Sequence, residues 1–363
     1  MIFIVVGSFK LGGTERTASR IGLELIRQGH AVKFILLKGV FDYNEKELVE
    51  NSIVLDNPKW KFKTVRKMLS LFTLIALLRR HRPRYLVSFS MGINLFVFFT
   101  FYRRIIFRIE SNIFIYKKKL YRRYFQKILS ISPNVKKIVV PSKGLYDGCY
   151  QYFLAPEKLV LISNPIDVPS IQRLGAESID DYPQLQNGKF IVTAGRLHES
   201  KGFRQLIQVF LKSKLAATYS LVILGEGPQR PALEKVISDL SAEQKVYLLG
   251  YQQNPYRFFA KARFFILNSA HESFGNVLIE SMASGIPVVS NDCDFGPRHI
   301  IKQGRNGILY DRSNEAEFLS ALERVGLDND LWESLKEAAK TDVEHYKIQE
   351  ITSFWTLNII NFE

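Results

Sequence analysis

The segment His271-Glu272-Ser273-Phe274-Gly275-Asn276-Val277-Leu278-Ile279-Glu280 sets two glutamates eight positions apart, with a polar turn after the first and an apolar run before the second. Upstream, Ala262-Arg263-Phe264-Phe265-Ile266-Leu267 reads as a buried strand. Downstream of Asn276, the residues Val277, Leu278, Met282 and Ala283 recur at helical spacing. Glu272 and the Ser-Phe-Gly-Asn turn are therefore expected at the carboxyl end of a strand, where open α/β sheets bind ligands. The opening turn of the following helix offers free N–H groups and a positive dipole end to phosphate or sugar oxygens. Glu280 follows Asn276 by one helical turn, on the same face. A carboxylate at the entrance and another along the helix can grip two parts of an elongated ligand.

Working outward, short apolar runs alternate with helical patterns over the whole chain, which argues for βαβ units and parallel sheets. Strands are expected at Ile2–Val6, Ala31–Leu37, Tyr85–Phe89, Ile105–Ile109 and Lys137–Val140. A second set is expected at Phe190–Ala194, Leu221–Leu224, Lys245–Leu249, Phe264–Leu267 and Pro287–Ser290. Thr17–Gln28 reads as a helix stopped by Gly29. Glu177 to Gly188 is polar and reads as a surface loop. At 363 residues the chain exceeds the usual size of one core, so two domains are expected.

The formal net charge of +15 is unevenly placed. Residues 1–150 carry 28 Lys/Arg against 9 Asp/Glu, and residues 57–146 carry 21 against the single acid Glu110. Such a one-sided field attracts a polyanion: nucleic acid, an anionic membrane surface or a phosphorylated acceptor. Met68 to Leu78 is almost wholly apolar. Lys59, Lys61, Lys63, Arg66 and Lys67 precede it, and Arg79, Arg80, Arg82 and Arg84 follow. Asn94 to Tyr102 is Phe-rich and runs into Arg103 and Arg104. Both stretches fall short of the roughly 18–20 residues that span a bilayer. They read either as buried helices or as interfacial helices with a basic rim. The apolar opening run is too short, and lacks the charged flank, for a secretory signal. Cys149 and Cys293 suggest no disulfide framework and fit a reducing compartment. The six histidines show no metal-ligand spacing, and no metal or cofactor is expected.

Further motifs fall in order around the opening segment: Gly12-Gly13-Thr14-Glu15-Arg16, Asn164-Pro165-Ile166-Asp167, Gly195-Arg196-Leu197 with Lys201-Gly202, Gly225-Glu226-Gly227 and Gly285-Ile286-Pro287-Val288-Val289. Together with the paired glutamates, the set resembles that of the retaining nucleotide-sugar glycosyltransferases of family 4. The resemblance covers nearly the whole chain. It implies the GT-B fold, two Rossmann-like α/β domains facing a cleft. The first would be an acceptor-binding domain, 1–164, onto which a C-terminal helix, 345–363, crosses back. The second, 165–344, would bind the nucleotide sugar. Cys293-Asp294-Phe295-Gly296-Pro297-Arg298 resembles a segment of relatives in bacterial surface-polysaccharide assembly. Its Gly-Pro pair marks a turn, Cys293 reads as a packed thiol, and Arg298 is placed near phosphate.

The resemblance implies residue roles that the chemistry supports. Arg196 and Lys201 would stabilise the departing diphosphate in place of a metal, Arg as a fork and Lys as a point charge. Glu280 would accept from the ribose diol. Glu272 would lie near the transferred sugar, unless it merely caps the following helix. The backbone of Phe274, Gly275, Asn276 and Val277 would meet the sugar and diphosphate, with Gly195 and Gly225 shaping the same donor site. Gly12 and Gly13 permit close backbone approach. Many family members carry a histidine after the strand that corresponds to Ile105–Ile109, whereas this chain reads Arg108-Ile109-Glu110-Ser111-Asn112. Glu110 either contacts donor sugar or acceptor, or neutralises Arg108.

The reaction then expected is metal-independent, retaining transfer of a hexose or N-acetylhexosamine from a nucleotide sugar, UDP-sugar first, to a lipid-linked or lipopolysaccharide acceptor. The place expected is cytoplasmic, peripheral on the inner face of the membrane. Two alternatives stay open. A GT-B sugar-nucleotide epimerase would need no acceptor. A nucleic-acid-binding module would use the basic half, but those charges flank apolar helices rather than tracking a groove with stacking aromatics.

Overall fold

The computed structural model describes residues 1–10, 12–42, 46–56, 63–110 and 120–361. The expectations for Lys59, Lys61, Ser111 and Asn112 lie outside them. The chain divides into two compact units: Met1–Pro165 with Ile348–Glu363, and Ile166–Lys347.

The first unit holds strands β1 (Ile2–Val6), β2 (Val32–Leu36), β3 (Ser52–Val54), β4 (Tyr85–Phe89), β5 (Ile105–Arg108), β6 (Val135–Val140) and β7 (Leu159–Leu161). They form one sheet in the order β3-β2-β1-β4-β5-β6-β7, every pair parallel. The second unit holds β8 (Phe190–Ala194), β9 (Ser220–Leu224), β10 (Val246–Gly250), β11 (Phe265–Leu267), β12 (Val288–Asn291) and β13 (Gly307–Tyr310). Their order is β10-β9-β8-β11-β12-β13, again all parallel. In each sheet the strand order reverses once, between β1 and β4 and between β8 and β11. Loops leaving a sheet on either side of such a reversal splay apart and open a crevice at the strands' carboxyl ends. The Gly12-Gly13 loop follows β1, the Gly195–Lys201 loop follows β8 and Glu272 follows β11, so these motifs sit at the switch points.

The central strands β1, β4, β8 and β11 are buried almost throughout, as parallel strands covered on both faces must be. In the first unit their side chains meet Ala18, Ile21 and Leu25 of the Gly13–Arg27 helix and Ile351, Trp355 and Ile359 near the C-terminus. The helix Ile348–Trp355, followed by the π-turn Thr356–Ile360, thus completes this core.

Several elements differ from the sequence reading. The first helix begins at Gly13 rather than Thr17, so Gly12 is its N-cap and Gly13 its first residue. The segment Glu177 to Gly188 is more than a polar surface loop: Ile179 and Leu185 are buried in the second unit's core. Strands β3, β7 and β13 lie at sheet edges and were not anticipated. The apolar stretch Met68 to Leu78 lies within a helix, Lys63–His81. Ser70, Leu74 and Leu78 are buried on one face while Val65, Met68, Leu69 and Phe72 are exposed on the other. Among the described residues no helix is long and apolar enough to cross a membrane.

Candidate active site

In the second unit, the loop after β8 is held from two sides. Gly195 N–H donates to Leu224 O and Leu197 N–H to Glu226 O, which zips it to the loop after β9. Approach is so close that a Cβ on Gly225 (φ +135°) would lie 2.0 Å from Gly195 O, and one on Gly227 2.4 Å from Leu197 O. The Gly-Glu-Gly motif is therefore a packing requirement at the carboxyl edge. On the other side, Ala270 N–H donates to Ser200 O at 2.7 Å and Asn268 Nδ2 to Gly202 O at 2.9 Å. Gly202 (φ +67°) ends the turn Glu199–Lys201 and starts the helix Phe203–Lys212.

This frame brings Lys201 Nζ to 2.5 Å from Glu272 Oε1, with both side chains mostly shielded from water. Ser269 Oγ donates to the same carboxylate oxygen at 2.7 Å. Behind it, Asn291 Nδ2 and Cys293 Sγ both donate to Ser269 O at 2.9 Å, and Arg312 Nη1 donates to Asn268 O at 3.0 Å. The ends of β12 and β13 thereby fix the end of β11. Burial pushes the Cys293 thiol up to about 12, with Glu272 adding in the same direction, so Cys293 is a neutral packed donor. The helix that follows Glu272, Asn276–Ala283, starts from Gly275 in left-handed backbone (φ +101°).

Phe274 is buried, and a Cβ on Gly296 would lie 2.3 Å from Phe274 O, so the Gly296-Pro297 turn supports the Phe274–Val277 turn from beneath. Glu280 is buried on the same helix. Arg196 is exposed at the loop's tip and has no carboxylate in salt-bridge reach among the described residues. Arg298, read as phosphate-facing, instead pairs with Asp292 at 2.8 Å and with Asp294 at 3.6 Å.

In the first unit, the loops after β1, β4 and β5 carry a different chemistry. Arg108 is fully buried at the end of β5, bonded to Glu110 and to Asn164 Oδ1, with the rings of Phe89 and Trp355 at 5.7 and 5.6 Å. Its Nη1 has no hydrogen-bond partner among the described residues. Of the two readings of Glu110, neutralisation of Arg108 is therefore realised. Asn94, itself bonded to Ser88, donates to Arg108 O at 3.2 Å. The Asn164-Pro165-Ile166-Asp167 motif divides its work: Asn164 accepts from Arg108, Pro165 O from Arg20, and Asp167 caps the helix Val168–Gly175.

Gly12 sits against Glu15, whose carboxylate occupies the space a Gly12 Cβ would need. Glu15 is raised above the usual carboxylate range by desolvation, with the charge of Glu110 adding to it and its own backbone N–H opposing. Glu15, Ser269, Asn268 and Arg312 were missed by the sequence reading. Glu15 alone had a signal, its place in the glycine motif. Ser90, at the end of β4, was also missed: it holds φ +79°, a strained value for a non-glycine residue beside a switch point.

The described residues contain no group of three or more His, Cys, Asp or Glu able to hold a metal ion. The arrangement presents Lys201, Arg196 and a helix N-terminus to an anion, beside a carboxylate able to accept from a hydroxyl.

Comparison with known proteins agrees. The family model for glycosyl transferases group 1 matches residues 176–342, and that for glycosyltransferase family 4 matches residues 11–169. An N-acetylgalactosaminyltransferase of Campylobacter jejuni acting on N-acetylgalactosamine-N,N'-diacetylbacillosaminyl-diphospho-undecaprenol is 30% identical, over 93% of both chains. The chain belongs to this glycosyltransferase family. Its fold is of the GT-B type: Anabaena HepE in complex with UDP-glucose superposes with a TM-score of 0.83 over 99% of both chains at 18% identity. WaaG, a glycosyltransferase involved in lipopolysaccharide biosynthesis, superposes at 0.77 over 100% of both chains at 16% identity.

Proposed function

We propose that this glycosyltransferase moves a hexose or N-acetylhexosamine, with retention and without a metal, from a UDP-sugar to a lipid-linked saccharide in bacterial lipopolysaccharide or related glycan assembly. The observation that carries the reading is the Lys201–Glu272 pair, held at the carboxyl edge of β8 and β11 by backbone contacts on both sides. When the bond from the anomeric carbon to the diphosphate breaks, the leaving oxygen takes the electron pair. Lys201 and Arg196 supply positive charge there, the role a divalent cation plays elsewhere. Diphosphate binding competes with Glu272 for Lys201 and frees the carboxylate to accept from a sugar hydroxyl or to face positive charge at the anomeric carbon.

The amides of Phe274, Gly275, Asn276 and Val277 take phosphate and sugar oxygens, and Glu280 takes the ribose diol. Gly195 and Gly225 keep this part of the second unit bare of side chains, and Gly12 and Gly13 are the first unit's candidates for backbone contact with donor phosphate. The diphospho-undecaprenol acceptor of the Campylobacter relative supports a lipid-linked acceptor here, and UDP in the HepE complex supports the donor. The excess of basic residues in the first half favours a phosphate-bearing substrate at an anionic membrane surface.

The test is nucleotide release from a panel of UDP- and GDP-sugars, with and without a polyprenyl-diphosphate saccharide, in wild type and Glu280→Ala. Acceptor-stimulated release with one UDP-sugar, lost in the variant, supports the reading. Equal release without acceptor, or conversion of the donor to an epimer, refutes it.

A further inference from the structure

The amino edge of the first sheet, at the opposite strand ends from the Gly12-Gly13 loop, carries a feature the transfer reaction does not use. The residues that lead into β4 and β5 wall an open cavity of about 890 Å³ together with the end of the Lys63–His81 helix. Arg79, Arg82, Arg84, Arg103 and Arg104 all line it. None of the five has a carboxylate in salt-bridge reach among the described residues. Two of the lining residues, Arg82 (φ +44°) and Phe101 (φ +52°), hold left-handed backbone that a side chain disfavours. Such strain persists only where the surroundings enforce it. Here Arg84 N–H donates to Met1 O, Leu86 N–H to Arg104 O, and the Tyr102 hydroxyl to Pro83 O, which ties the two arginine loops together. Phe101 is 66% exposed and Phe99 45%, beside the arginines rather than in the core.

Five guanidinium groups around one cavity with no carboxylate beside them, Arg79 on the helix end and four on the tied loops, attract phosphate or a similar anion. A free anion would not account for the phenylalanines projecting beside them. A bilayer surface satisfies both, with phosphates at the arginines and the acyl boundary at the rings. We propose that this edge is a docking face for anionic phospholipid: Arg79, Arg82, Arg84, Arg103 and Arg104 take headgroup phosphates and Phe99 and Phe101 enter the interface. The inference goes beyond the proposed transfer reaction, since it gives the protein a hold on the bilayer separate from the donor-binding motifs.

Vesicle co-sedimentation tests it without donor or acceptor, so failure of the transferase reading would leave the result interpretable. Phosphatidylglycerol-containing vesicles are compared with pure phosphatidylcholine at two salt concentrations. Arg103→Ala with Arg104→Ala should weaken partition to the anionic vesicles roughly 25-fold, about fivefold per arginine near a charged surface. Phe101→Ser should weaken it while leaving its salt dependence unchanged. A control pair in the second unit, Lys235→Ala with Lys245→Ala, should bind as wild type, and all three should keep the wild-type thermal midpoint. Wild-type binding no tighter to anionic than to neutral vesicles overturns the proposal. So does equal binding by the arginine pair and wild type, an equal loss in the control, or tighter binding to an oligonucleotide than to anionic vesicles at matched salt.

Discussion

At the carboxyl edge of the second unit, neighbouring loops are joined by backbone: Gly225 lies against Gly195, Gly227 against Leu197, and Gly296 against Phe274. At the equivalent edge of the first unit, the loops are joined through one buried charge, with Arg108 bonded to Glu110 and Asn164 and flanked by Phe89 and Trp355. Both units use the same parallel sheet with one reversal of strand order. They differ in what makes their edges rigid. Backbone contacts cannot be retuned without changing the chain path, so they suit a partner that stays constant. A buried ion pair depends on two side chains and can be rebuilt by substitution. Under the proposed function, a nucleotide diphosphate and a variable saccharide acceptor would make these two kinds of demand.

The largest effect expected from this contrast is at the first unit's charge. Glu110→Ala leaves Arg108 buried and without its carboxylate, and should lower stability by about 3–5 kcal/mol. A urea denaturation midpoint reads this directly. Arg108→Met together with Glu110→Leu should recover most of the loss, because it removes the stranded charge along with its partner. If the single variant is nearly neutral, the ion pair is not what holds this edge.

Next is the second unit's cation. Lys201→Ala should lower the turnover number by about 10²–10³, the range for loss of one preorganised charge-stabilising group. The thermal midpoint should move little, since Ser269 still donates to Glu272. A large drop in midpoint with near-normal turnover would make Lys201 a structural brace, and would erase the functional side of the comparison. The backbone claim is tested by Gly225→Ala. Its Cβ would meet Gly195 O at 2.0 Å on a residue with φ +135°, so about 3 kcal/mol of stability should be lost. Gly29→Ala is the matched control, with positive φ but open space around it, and should cost only the strain. Equal losses at the two sites would mean that strain alone, rather than close approach of loops, explains Gly225.

What sequence reading reached follows the same division. The central strands were legible because strands covered on both faces are continuous apolar runs, as in Ile2–Val6 and Phe190–Ala194. Edge strands β3 and β7 have three residues each and one neighbour, so their pattern is too short to stand out. The paired glutamates and glycine loops were legible because their spacing is local. The contact of Lys201 with Glu272 joins residues 71 apart, and that of Arg108 with Asn164 joins residues 56 apart. No local pattern reports such contacts. The unanticipated start of the first helix at Gly13 has the same cause. Two glycines read as a turn, whereas burial of Ala18, Ile21 and Leu25 against the sheet recruits them into the helix.

The smallest expected effect concerns Glu15, which stands on that recruited turn. A carboxylate in a helix's first turn is ordinarily favoured by the dipole. Here desolvation, with Glu110 acting in the same direction, outweighs this and raises the folded-state value above the ordinary one. Folding therefore favours the neutral carboxyl. The associated stability is present below the ordinary carboxylate range and declines as pH rises through the raised folded value. Glu15→Gln removes the ionisation, so its thermal midpoint should exceed wild type by a small margin at pH 7 and should match it at about pH 4, where Glu15 is protonated in the wild type too. A variant less stable than wild type at pH 7 would mean that the dipole and the backbone N–H dominate. The first unit's edge would then tolerate a second negative charge beside Glu110, and its difference from the second unit would rest on Arg108 alone.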